Sequence, residues 1–80
     1  MNAGIIEIDV HGMNCSQALV AVNAKLRRAK GAYRIRVIHG FHGGTALRDA
    51  VRQEYKNHPL IKRIEFGMNQ GETDLVLREY

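Results

Sequence analysis

Asp9 and His11 stand two positions apart in Asp9-Val10-His11-Gly12, and His39 closes a second run of the same kind, Val37-Ile38-His39-Gly40. A carboxylate two positions before an imidazole on an extended segment projects from the same side. It can hold the ring in one tautomer, which an acid–base pair requires. The two strand-end histidines are candidates to share a ligand, with Asp9 beside His11. Asp9, His11, His39 and His42 are also a candidate set of ligands for a divalent metal ion. Imidazole and carboxylate suit zinc or manganese, although no diagnostic ligand spacing links these four.

The segment Gly40-Phe41-His42-Gly43-Gly44-Thr45 reads as an anion cradle, because glycines let backbone N–H groups approach a phosphate closely. Arg48, one turn further on, can add a charge-assisted contact. No Gly-Lys-Ser/Thr follows the glycines, so a Walker-type nucleotide hydrolase is unsupported. Phe41 can stack on a base or plug the end of a sheet, and both readings stay open. Six cations, Lys25, Arg27, Arg28, Lys30, Arg34 and Arg36, fall within twelve residues, and Arg48, Arg52 and Lys56 recur every four. Solvated helix faces account for such charge as well as a phosphate-attracting rim does. Cys15 has no committed base and reads as an inert small residue. His58, before Pro59, reads as a surface residue.

Those groups need elements to position them. Ile6, Ile8 and Val10 alternate with Glu7, Asp9 and His11, the pattern of a half-buried strand ended by Gly12. Asn14 and Gln17 form a capping-box pair for a helix carrying Ala18, Leu19, Val22, Leu26 and Ala29, with Gly31 as its stop. Tyr33 to His39 alternates again. Thr45 is placed to cap a second helix through Lys56, with Ala46, Leu47, Ala50, Val51 and Tyr55 as its apolar stripe. Asn57-His58-Pro59 breaks it. Leu60 to Phe66 and Asp74 to Arg78 read as two further strands.

The order is β-α-β-α-β-β, which predicts an α+β two-layer sandwich: a four-stranded mixed sheet with both helices on one face. The first β-α-β unit should cross over right-handed and make its strands parallel. Parallel neighbours lie about 4.8 Å apart, so His11 and His39 should meet at one end of the sheet. Helix N-termini follow both, and their unpaired N–H groups favour an anion there.

Eighty residues at 9.0 kDa predict one domain across residues 1–80, its core at about 5–79, with room for a single modest core. A hydrophobic share of 45% excludes disorder. No apolar run approaches a membrane span and no signal peptide precedes the first strand, so the expectation is a protein without a membrane partner. One cysteine fits a reducing cytoplasm. Twelve Lys and Arg against eight Asp and Glu give +4, an excess that attracts phosphates without naming their source.

The paired motifs resemble the Smr (small MutS-related) domain. Ile8-Asp9-Val10-His11-Gly12 matches that family's Leu-Asp-x-His-Gly. Val37-Ile38-His39-Gly40, running on to Thr45-Ala46-Leu47-Arg48, resembles its second motif, a strand ending in His-Gly or Thr-Gly and a glycine-rich loop leading to Ala-Leu-Arg. The resemblance extends over roughly residues 5–79. It implies a fold similar to the C-terminal domain of a bacterial translation initiation factor, and a role in nicking or cleaving DNA or RNA or in work linked to the ribosome. On that reading Asp9, His11 and His39 are catalytic, Asp9 orienting His11 while His11 and His39 divide general base and acid roles. Gly40, His42, Gly43, Gly44, Thr45, Arg48, Arg34 and Arg36 contact phosphate or nucleic acid. The partners are DNA or RNA, with the ribosome a further candidate. The chain departs from the family at the loop, where His42 takes the place of the second glycine and one residue is added. A non-catalytic nucleic-acid-binding module and a protein-interaction domain are the alternatives. A chain of this length has no room for the ATPase that often accompanies an Smr domain.

Overall fold

Six elements follow in the order β1 (Ile5–Asp9), α1 (Cys15–Arg27), β2 (Arg34–Ile38), α2 (Ala46–Tyr55), β3 (Arg63–Glu65) and β4 (Glu72–Val76), in a computed structural model that describes residues 4–40, 45–66 and 70–78. β1 and β2 pair in parallel from Ile5↔Arg34 to Asp9↔Ile38. β4 pairs antiparallel with β2 and with β3, so the mixed sheet runs β1-β2-β4-β3. Consequently β1, β2 and β3 all point the same way, and their carboxyl ends share one end of the sheet.

Both helices lie on one face, as the pattern of apolar residues predicts. Ala18, Val22 and Leu26 of α1 and Val51 and Tyr55 of α2 are buried with Val10, Ile35, Val37 and Leu75 from the strands. Each such aliphatic side chain contributes roughly 1.5–3 kcal/mol when fully buried. The capping box at α1 is complete: Gln17 N–H donates to Asn14 Oδ1 at 2.8 Å, and Asn14 N–H donates to Gln17 Oε1 at 3.1 Å. Tyr55 ties the helices together, its hydroxyl donating to Asn23 Oδ1 at 2.6 Å. Burial, with the charge of Glu54 adding to it, pushes the Tyr55 phenol up to about 12.

Three local expectations shift. β4 starts at Glu72 and ends at Val76 instead of spanning 74–78, because β2 sets its limits. His39 N–H and Gly40 N–H both donate to Gly71 O at 2.9 Å, while Leu77 N–H donates to Tyr33 O at 2.7 Å. β3 is cut to Arg63–Glu65, since the turn at Pro59 takes Leu60 and Ile61: their N–H groups donate to His58 Nδ1 and His58 O at 3.1 and 3.0 Å. Thr45 precedes α2 without a side-chain cap. Its hydroxyl instead donates to Asp49 Oδ2 at 3.0 Å. No helix is long and apolar enough to cross a membrane among the described residues.

Candidate functional site

Parallel pairing sets Asp9 beside Ile38, and Val10 N–H donates to Ile38 O at 2.9 Å just past the last paired residues. Gly12 then adopts φ +84°, a left-handed conformation open to glycine at little cost, and a turn from Val10 O to Met13 N–H leads into Asn14. His11 is left outside the strand at the mouth of this turn. Its own N–H donates to Asp9 Oδ1 at 3.1 Å, and the same oxygen accepts a short hydrogen bond from its ring Nδ1. An ionised carboxylate only accepts, so Nδ1 carries a proton, and in the neutral ring Nε2 is the acceptor. These bonds, the ring's first and the backbone's second, hold the Asp9 carboxyl below its usual value. The side chains of His11 and Asp9 remain 70% and 52% exposed. The dyad is thus oriented and open to a large substrate.

His39 ends the adjacent strand, and its ring is used differently. Val37 faces the helices, so His39, two positions on, also turns inward and is buried. Its Nδ1 donates to Gly40 O at 2.8 Å, and its Nε2 accepts from the Thr73 hydroxyl at 2.9 Å. Thr73 Oγ1 in turn accepts from Arg52 Nε at 3.2 Å. Every donor in this chain meets an acceptor, and the chain ends on the glycine from which residues 41–44 depart. Gly40 also adjoins the dyad, since a Cβ placed on it would lie 3.6 Å from His11 Cβ. The two strand ends therefore meet as the motifs predict, with one histidine open and the other enclosed.

The remaining candidates separate into three groups. Phe41, His42, Gly43 and Gly44 lie outside the described residues. Thr45 and Arg48 converge on Asp49: beside the Thr45 bond, Arg48 Nε donates to its Oδ1 at 3.2 Å. Together they hold the Asp49 carboxyl below its usual range, the Thr45 bond being the larger cause. That bond occupies one of the five donors of the Arg48 guanidinium. Arg34 and Arg36 lie on the helix-free face of the sheet, spent on an internal network. Arg36 Nε and one terminal nitrogen reach the two oxygens of Asp74 at 3.0 and 3.1 Å, while Arg34 bonds Asp74 and, at 3.0 Å, Glu65. Their charge is matched inside the fold.

Among the described residues, no group of three or more His, Cys, Asp or Glu side chains is placed to hold a metal ion. Asp9, His11 and His39 thus do not form such a group, and the fourth candidate, His42, lies outside the described residues. Cys15 is half-buried, its thiol 3.7 Å from Ala46 O. His58 is also half-buried, with its ring centre 5.6 Å from that of Tyr55. The motifs did not point to Thr73 and Asp74. Their one local signal is polarity in a strand whose neighbours Leu75 and Val76 are buried, since an interior polar group needs a partner.

The geometry has counterparts in known proteins. The chain is 35% identical over 77 residues to the endonuclease MutS2 of Geobacillus kaustophilus, and 35% identical over 80 residues to that of Caldicellulosiruptor saccharolyticus. In each case the match takes in 92% of this chain and 10% of the relative, so the chain spans about a tenth of these proteins. The crystal structure of the Smr domain of Thermus thermophilus MutS2 superposes with a TM-score of 0.83 at 29% identity, covering 92% of this chain and 99% of that one. The family model of the Smr domain matches residues 8–75, from the strand that carries Asp9 to the one that carries Thr73, and the chain belongs to the Smr domain family.

Proposed function

We propose that this Smr domain acts on nucleic acids and hydrolyses phosphodiester bonds, with His11 as general base and Asp9 as the group that orients it. The observation that carries the reading is the Asp9–His11 dyad, bonded through the ring Nδ1 and with the His11 side chain largely exposed. A small-molecule enzyme places such a pair in a concave pocket. A pair exposed at a sheet end suits a polymer that is larger than the protein's own clefts. The two relatives named as endonucleases match 92% of this chain.

In this scheme a water molecule hydrogen-bonded to His11 Nε2 attacks phosphorus as its proton passes to that nitrogen. The new P–O bond forms while an ester P–O bond breaks, and the departing oxygen takes a proton from solvent. The N-terminus of α1, which follows His11 in the chain and has no acidic residue in its first turn, adds partial positive charge that favours the developing anion. His39 acts as a positioning residue: its ring fixes the Gly40 carbonyl, and through it the path of the chain next to His11. Arg48 contributes charge to the approaching backbone.

Supercoiled plasmid and a structured RNA, ribosomal RNA included, incubated with the purified protein test this reading. Nicked or shortened products should form with the natural chain and about 10²–10⁴ times more slowly with His11→Ala, while salt-sensitive binding survives. Products undiminished in His11→Ala would overturn the catalytic assignment. Salt-sensitive binding without any cleavage would leave a binding module.

A further inference from the structure

Phe66 leaves the end of β3 as a residue 63% exposed. The guanidinium carbon of Arg52 lies over one face of that ring, 3.9 Å from its centre. Arg52 is anchored from behind by its bond to buried Thr73, so the ring is backed by a fixed cation on one side and meets solvent on the other. The stack sits in a groove of about 590 Å³ whose lining includes Lys56, Lys62 and Arg63. Asp49 is the one carboxylate among the lining residues, and Thr45 and Arg48 already hold it. The groove is cationic, with an aromatic floor.

A phenylalanine left this exposed contributes little to the core. Bases present π-faces that stack on such a ring whatever their identity, and arginine adds a cation–π contact. Only unpaired bases can reach it, because a duplex keeps its faces covered. We propose that this groove binds an unpaired nucleotide of a single-stranded segment, its base on the open face of Phe66 and its phosphates against Lys56 and Lys62. The proposal deepens the nucleic-acid reading above and rests on it. β3 runs parallel to β1, so Phe66 and His11 lie at the same end of the sheet. Three strand spacings, roughly 14 Å, separate their strands, a span that a few nucleotides bridge. An acidic peptide would match the charge of the groove but has no use for the ring.

The sequence contains no tryptophan, so Phe66→Trp introduces a single reporter. Its emission should be quenched by a short single-stranded oligonucleotide and left unchanged by a blunt duplex of the same sequence. Phe66→Ala, measured by anisotropy of a labelled strand, should weaken single-strand binding about five- to hundredfold, the range for loss of one stacked base, and leave duplex binding as it was. Lys56→Ala with Lys62→Ala should flatten its salt dependence. Unchanged single-strand affinity in Phe66→Ala, or equal quenching by polyglutamate, overturns the site. If cleavage persists while Phe66 proves irrelevant, this proposal alone fails. If Phe66-dependent binding persists without cleavage, the catalytic reading alone fails.

Discussion

His39 Nε2 and the Thr73 hydroxyl meet at 2.9 Å between the two central strands, and this bond separates the roles of the two motif histidines. Thr73 Oγ1 accepts from Arg52 and donates to His39, while His39 donates to Gly40. The enclosed ring is therefore suited to holding the chain in place, and the open ring of His11 to taking a proton.

Replacing Thr73 by valine keeps the shape and removes the hydroxyl. His39 Nε2 loses its partner in a buried setting and Arg52 Nε in a half-buried one, at a cost of about 1–3 kcal/mol. Thr73→Ser should restore most of that loss. Urea unfolding of the three proteins reads the difference directly.

Asp9→Asn presents the ring with both a carbonyl and an amide donor, so His11 can bind in either tautomer. Single-turnover cleavage should slow by about 10²–10⁴, the range for general base catalysis, with substrate affinity unchanged. Because Asp9 and His11 lie at the surface, the thermal midpoint should stay within a degree or so of the natural chain's.

Asp74→Ala should be the most damaging change on the helix-free face. Asp74 is 5% exposed and accepts from Arg34 and Arg36 together, so its removal leaves two partly buried guanidinium groups facing each other. The expected loss is about 3–5 kcal/mol, a fall in midpoint of about 4–8 °C per kcal/mol for a domain of this size. Calorimetry checks it.

Alkaline unfolding should report Tyr55. Its phenol ionises near 10.0 in the unfolded chain and is pushed up to about 12 in the fold. Burial thus favours the protonated form, so the stability it confers is fully present below pH 10 and is lost as pH rises toward 12. The loss amounts to about 2–3 kcal/mol over that interval. Denaturant melts of Tyr55→Phe should lack this dependence, while losing about 1 kcal/mol at neutral pH from the missing bond to Asn23.

The layered fold was legible because alternation in Ile6-Ile8-Val10 and in Ile35-Val37, with helical spacing from Ala18 to Leu26, reports burial locally. The capping box at Asn14 and Gln17 was legible for the same reason: both partners lie within one turn. The limits of β4 were not, because they depend on β2, whose residues lie more than thirty positions away. The Asp9–His11 dyad could be read from its spacing. The fates of Arg34, Arg36 and His39 could not. Each depends on Asp74 or Thr73, brought alongside only when β4 pairs with β2, and an arginine bonded to a distant aspartate reads in sequence like one open to phosphate. The pairing of Phe66 with Arg52 likewise joins a strand end to a helix with no sequence signal between them.

The most direct test of the central claim is a double-mutant cycle on cleavage by Asp9→Asn, His11→Ala and the combined variant under single-turnover conditions. If Asp9 acts through His11, the combined variant should cleave no more slowly than His11→Ala alone, so that the coupling nearly equals the whole effect of Asp9→Asn. Losses that simply add, or a His11→Ala protein that cleaves at the natural rate, would contradict the dyad as the catalytic centre.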